Sequence, residues 1–416
     1  MNTMKIGMGS GEIRFPMALF PMEGFCGIHD DPKVRVMLLE SNIRFAIVSC
    51  EIVMLPKPLI EECQKTIEKI TGTPKENVWI HMTHAISTPH MPGDVPFPPP
   101  VDNGVPVEEK RRMYSAVIVD AVEAAAKEAF ANKQDAVLRV AKGNCDINVN
   151  RDVLTPHGWW VGNGSDGPSN KEMTVLRADA PDGKPVGFLI SYGIKPCALD
   201  NSGIMSGTRQ VSADLTGVAS KILEDKYGVP AMFCMSAAGD QIPREMALYE
   251  RVDNEGRPQY VDQGVEKGFE FVQRLGAAMG ETAVAIAENE GTAVDTTMET
   301  KSTAFSWPCK GRARMMPTKE IAYVAEREEM VDVSTLKIGN VAFIAAKPEI
   351  NTVTEQQLQA ASPYETTLLI SMVNGGMKYM PEKEAYEQVK WEAQSAMLLP
   401  GAAEKFVETA ISLLQG

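Results

Sequence analysis

LISYGIKPCALD, residues 189–200, decides how the chain folds: an apolar run with the character of a buried strand breaks at Gly193 into a polar turn carrying Lys195 and Cys197. The same layout recurs in IHMTHAISTPH (80–90), MFCMSAAGDQIPR (232–244), VAFIAAKPEIN (341–351) and LLISMVNGGMKY (368–379). In an open α/β sheet the carboxyl ends of the strands form the ligand crevice, so reactive residues distant in sequence converge there. Five such junctions point to an enzyme or the descendant of one.

Working outward, apolar runs at 34–40, 43–53, 77–82, 136–143, 173–179, 186–193, 231–238, 340–347 and 366–373 read as strands. Several are continuously apolar, as strands are when both faces are covered. Only Ser41 and Asn42 separate the first two, a hairpin spacing, so the expected fold is α/β with a mixed β-sheet covered by helices. Helices are expected over 58–71, 107–131, 214–227, 264–289 and 318–330, with two more near the end. The 214–227 segment has an apolar stripe (Leu215, Val218, Ala219, Ile222, Leu223) and a Gly228 stop. The Pro-rich 91–106 and Gly/Ser-rich 157–170 segments lack periodicity and read as lids or binding loops. With no repeat and no clean linker, residues 1–416 are expected to form a single domain, with a small C-terminal lobe over about 295–416 as a variant.

Composition narrows the function. The 416 residues are 44% hydrophobic and 23% charged, which is globular, and 55 acidic against 41 basic residues give a net charge of −14. That charge opposes binding to nucleic acid or anionic membranes. Neither a signal peptide nor a run of roughly 18 apolar residues is evident, so a cytoplasmic protein with a small-molecule substrate is expected. Seven cysteines without CxxC or zinc-finger spacing read as reduced thiols. Assembly stays open, a homo-oligomer included.

Across most of the chain, ordered segments carry a resemblance: IVSCEIVMLPK, TGTPKENVWIHMTHAISTP, NVNRD, MTVLRADAPDGKPVGFLISYGIKP, SADLTGVAS, SAAGDQIPR, NVAFIAAKPEI and MVNGGMKYMPEKEAYE. Together they resemble the catalytic domain of the neutral/alkaline ceramidase family, zinc-dependent amidases, in a divergent form expected to lack the family's immunoglobulin-like tail. The resemblance implies four zinc ligands. His84 and Glu349 match two of them, whereas the second His position falls on Lys195 and the Tyr position on Gly375 or Gly376. Zinc takes imidazole, thiolate or carboxylate donors, and an ammonium is no ligand until it loses its proton. The family's nucleophilic Ser position falls on Ile242 and its second His on Ile86. The cofactor therefore stays unknown: zinc on an incomplete ligand set, a metal site rebuilt with Cys197 or His90, or no metal.

Each surviving residue has a functional and a structural reading. Strand alternation puts His84 on the face of Ile80 and Met82 and His81 on the other, so the two do not share a metal. Lys195 leaves an apolar run and reads as a fixed cation, a base or an imine former, or as a lysine snorkelling to solvent. Glu349 reads as a site carboxylate or as the cap of a helix beginning near Asn351. Arg151 suits carboxylate capture or a salt bridge to Asp146 or Asp152. Asp240 orients a base or closes a turn, and Tyr379 joins the catalytic set through the resemblance. Cys197, Trp159, Gly375 and Gly376 complete the expected substrate-contacting set. The leading expectation is a hydrolase of an amide or ester bond in a small anionic substrate, not a true ceramidase. A metal-independent lyase or isomerase using Lys195 and His84, or a non-catalytic binding subunit, are the alternatives.

Overall fold

A computed structural model describes residues 3–95, 103–164, 166–311 and 315–416. Its largest sheet has nine strands. The spatial order is Ala231–Met235, Pro185–Tyr192, Glu172–Asp179, Gln134–Asn144, Met4–Glu12, Lys33–Glu40, Arg44–Cys50 and Val78–Met82, with Thr292–Ala293 added beside Gln134–Asn144. The pair 185–192/231–235 and the pair 44–50/78–82 are parallel and the other neighbours antiparallel, so the sheet is mixed. The expected hairpin is present, with Leu39 opposite Phe45.

These strands are apolar on both faces because both faces are covered. One face packs on the helices Lys57–Thr71, Val107–Ala131, Asp214–Tyr227 and Val265–Ala287, through residues such as Val48, Ile80, Ile118, Leu215 and Leu275. The other packs on a second sheet of four strands, ordered Met298–Cys309, Arg327–Ile338, Val341–Ala346 and Thr366–Ile370. Ile6, Ile47 and Trp79 of the first sheet share one buried layer with Leu336, Phe343 and Leu368 of the second. The helices Thr352–Ala361 and Ala402–Gln415 close the far face through Leu358 and Phe406. The C-terminal segment is thus the second half of an α/β/β/α stack. Among the described residues, no helix is long and apolar enough to cross a membrane.

The two halves are pinned near the strand ends by His81. Its Nε2 accepts the Met235 N–H at 3.0 Å, so the ring proton sits on Nδ1 and is donated to the Ser371 carbonyl at 2.7 Å. Burial pushes this imidazole down to about 4, and it remains a neutral structural rivet.

The structure corrects two sequence expectations and adds one strand that the sequence reading did not name. Residues 318–330 are not a helix: Arg327–Ile338 pairs along its length with Met298–Cys309, and burying Val331, Val333 and Thr335 requires a two-residue period. The segment 157–170 is not all loop, since Gly158–Gly164 pairs with Asn148–Thr155, which in turn pairs with Gln241–Pro243. Within the Pro-rich segment, 96–102 lies outside the described residues. The added strand is Met4–Glu12, at the centre of the large sheet. Its sequence MKIGMGSGE hides this, because Gly7, Gly9 and Gly11 face helix Val107–Ala131 where Ala129, Ala125 and Ala121 pass. A Cβ at any of the three would lie well inside contact distance of those alanines' carbonyl oxygens. Glycine here serves close approach rather than flexibility.

Gly9→Ala is expected to force helix Val107–Ala131 off the sheet and to destabilise the protein by about 2 kcal/mol or more, as overpacking does. Urea denaturation of the variant against wild type measures it; an unchanged midpoint contradicts the packing.

Candidate active site

Parallel pairing brings the junctions together. His84 follows Val78–Met82, Lys195 follows Pro185–Tyr192, and Glu349 and Tyr379 follow Val341–Ala346 and Thr366–Ile370. Glu349–Ile350 pairs in parallel with Tyr379–Met380, which sets Glu349 beside Tyr379, and the Glu349 N–H donates to the Lys378 carbonyl at 2.8 Å. The Lys195 turn is fixed from below by Asp214, whose carboxylate accepts the N–H groups of Ala198 and Leu199 at 3.0 Å each. His84 itself adopts a left-handed backbone with φ of 61°, an uncommon conformation for a residue other than glycine.

Glu349 is the hub. One carboxylate oxygen lies 2.5 Å from Nδ1 of His84, and the other lies 2.8 Å from Nζ of Lys195. Lys195 Nζ also donates to the Tyr379 hydroxyl at 2.9 Å. Burial pushes the Glu349 carboxyl up, but His84 and Lys195 together outweigh it and hold it at about 2. Burial likewise pushes Lys195 down, and Glu349 and Tyr379 overcome it, so the amine stays an ammonium. For His84 burial prevails over Glu349 and favours the neutral ring. Lys195 is therefore a fixed cation, unsuited to act as a base or form an imine. His84 contacts Glu349 through Nδ1, which leaves Nε2 for a proton.

Lys195 and Tyr379 face a cavity of about 220 Å³. Arg151, Cys197, Asp200, Glu250 and Trp391 also line it, as do Ile86 and Ile242. Arg151 is 7% exposed, and its Nε pairs with Glu392 at 2.6 Å rather than with Asp146 or Asp152. Its guanidinium lies over the rings of Trp391 and Tyr379, 4.5 and 5.1 Å from their centroids. Its Nη2 is buried with no hydrogen-bond partner among the described residues. Burial pushes the Cys197 thiol well above its ordinary value, so it is no ready nucleophile.

Other expected site residues lie elsewhere. The Asp240 carboxylate accepts the Thr352 N–H and hydroxyl at 3.0 and 2.9 Å and the Asn150 amide at 3.1 Å. It thus supplies the helix cap considered for Glu349, and it ties together the segments bearing Arg151 and Glu349. Trp159 stands outside the cavity lining with Lys390 Nζ 5.3 Å from its ring centroid. Gly375, with φ of 143°, approaches the Lys347 side chain, and Gly376 approaches Met54; neither lines the cavity. Sequence reading missed Trp391, Glu392 and Glu250, which follow no strand junction. Asp200 closed a quoted junction and went unremarked.

The residues do not fit a catalytic zinc ion. Among the described residues no three His, Cys, Asp or Glu side chains cluster to hold a metal. The carboxylate that would bind one is taken by an ammonium and an imidazole. The alternative donors are also committed, with Cys197 protonated and His90 Nδ1 2.9 Å from Glu23.

In an α/β scaffold the ends of parallel strands are where ligand crevices form, and polar groups gather there in this chain. No family model matches the chain, and no curated protein matches it. Solved structures do match it, among them a neutral ceramidase from Pseudomonas aeruginosa and a ceramidase complexed with C2. Each has a TM-score of 0.75 at 16% identity, over 99% of this chain and 75% of theirs. The chain thus has the fold of neutral ceramidase, in a widely divergent sequence.

Glu349→Gln should leave the Lys195 charge buried and unpaired, costing about 3–5 kcal/mol at neutral pH. Because Glu349 titrates near 2 when folded and near 4.5 otherwise, its stabilisation is complete above 4.5 and is lost as pH falls towards 2. Denaturant midpoints of wild type and variant should therefore converge over that interval; a constant gap sinks the assignment.

Proposed function

We propose that this protein is a metal-independent hydrolase of an amide or ester bond in a small substrate that carries a carboxylate. The observation that carries the reading is the Lys195 ammonium, held by Glu349 and Tyr379 at the wall of the cavity. A fixed positive charge in a water-poor site stabilises a developing oxyanion, the task a zinc ion performs elsewhere. The buried, unpartnered Nη2 of Arg151 suits a substrate carboxylate. The Glu349–His84 pair supplies a base oriented by a carboxylate; it adjoins Lys195 outside the cavity lining, so it takes the proton through a water.

The ceramidase fold of the similar structures supports a hydrolytic reaction class. Ceramide itself is a poor fit, since a 220 Å³ cavity does not house a two-chain lipid. With Ile242 and Ile86 in the lining, water is the attacking group. Its oxygen bonds to the carbonyl carbon while His84 Nε2 takes its proton through the bridging water, and the C–N or C–O bond breaks as that proton passes to the leaving group. The ammonium state of Lys195 disfavours a lyase or isomerase that needs it as a base. Seven free thiols support a reducing, cytoplasmic setting.

Turnover of small carboxylated amides and esters should fall about a hundredfold or more in Lys195→Met and in His84→Ala, and a chelator should leave wild type unchanged. Because burial keeps His84 below its ordinary 6.5, the acid limb of kcat/KM should lie below that pH. Chelator-sensitive activity restored by zinc, or full turnover in both variants, would refute the mechanism. Binding without any reaction would make the protein a small-molecule receptor.

A further inference from the structure

Six charged side chains line the cavity or back it. Arg151 and Lys195 are the two cations, and Glu392 and Glu349 already neutralise them at 2.6 and 2.8 Å. Asp200 and Glu250 line the same cavity, and among the described residues neither has a cation within ion-pair distance. Their hydrogen bonds come from neutral donors: Asn201 Nδ2 at 2.8 Å to Asp200, and Trp160 Nε1 at 2.8 Å to Glu250. Arg209 acts on Asp200 only through its longer-range field, since its guanidinium is spent on the carbonyls of Glu23 and Ile86. Burial, and for Asp200 also the field of Glu250, pushes both carboxyls above their ordinary values, Asp200 to about 6. Counting direct ion pairs, two cations thus face four carboxylates; Asp200 and Glu250 are the two left without a paired cation, with the field of buried Arg209 offsetting Asp200 in part.

Two opposite demands meet in one small space. Arg151 presents a buried N–H without a partner, and Asp200 and Glu250 present carboxylates without a cation. A purely anionic ligand would satisfy the first and repel the second; a purely cationic one would do the reverse. We infer that the substrate is a small zwitterion, with a carboxylate seated on Arg151 Nη2 and an ammonium seated between Asp200 and Glu250. The scissile carbonyl then lies beside Lys195. The chemical class is that of a short dipeptide or of an aminoacyl ester whose alcohol part is a small hydroxy acid, so that a carboxylate remains, and a cavity of about 220 Å³ accommodates either. This inference rests on the hydrolase reading for the position of the bond, but its charge recognition stands on binding alone.

Three related probes separate the charged groups: glycylglycine carries both, N-acetylglycine lacks the ammonium, and glycine N-methylamide lacks the carboxylate. Calorimetry on the wild-type chain should show glycylglycine binding about tenfold tighter, or more, than either analogue. In Asp200→Asn/Glu250→Gln the preference for glycylglycine over N-acetylglycine should collapse towards unity. In Arg151→Met the preference over glycine N-methylamide should collapse instead. Equal affinity for glycylglycine and N-acetylglycine in wild type overturns the inference, and so does a preference that survives in the double variant. Failure of the hydrolase reading looks different: glycylglycine binds with the expected charge pattern, yet neither it nor aminoacyl esters are cleaved.

Discussion

A single buried carboxylate organises the functional half of this molecule. Burial alone would favour a neutral Glu349, and it stays ionised because Lys195 and His84 converge on it from two other strand ends. Burying any of these groups alone would be costly. Their mutual satisfaction therefore demands that the two parallel pairs of the large sheet and the parallel pair of the second sheet end at the same place. The His81 rivet and the Asp240 cap serve that requirement by fixing the exits of the same strands.

The large features were legible in the sequence because they obey local rules. Continuous apolar runs marked strands buried on both faces, and the two-residue gap at Ser41 and Asn42 marked the hairpin. The 214–227 helix announced itself through its apolar stripe and the Gly228 stop. What escaped was set by long-range packing. The strand Met4–Glu12 looks like a flexible glycine segment until the helix that needs those glycines is placed against it. The strand Arg327–Ile338 takes its form from pairing with Met298–Cys309 rather than from its own propensity.

The site was legible in outline for the same reason. Residues emerging from strands, such as His84, Lys195 and Glu349, could be located by their junctions. Trp391 and Glu392 could not, because the short helix that carries them reaches Arg151 from far along the chain. Asp240 shows the converse: a junction residue with the right chemistry is absorbed by capping a helix. A strand end supplies position, and only the surrounding hydrogen bonds decide whether a side chain is left free to act.

In the proposed reading, Lys195 takes the place where the resemblance implies a metal-binding imidazole, and that alters more than the ligand count. A metal ion must be acquired and kept, and it is exchanged with its surroundings. The Lys195 ammonium is attached to the backbone, carries a single charge rather than two, and is in place as soon as the strands close around Glu349. Such a site gives up Lewis acidity and gains independence from supply: it has no empty form to fill and no wrong metal to take up. Only a proton can change its charge, and Glu349 holds that proton in place.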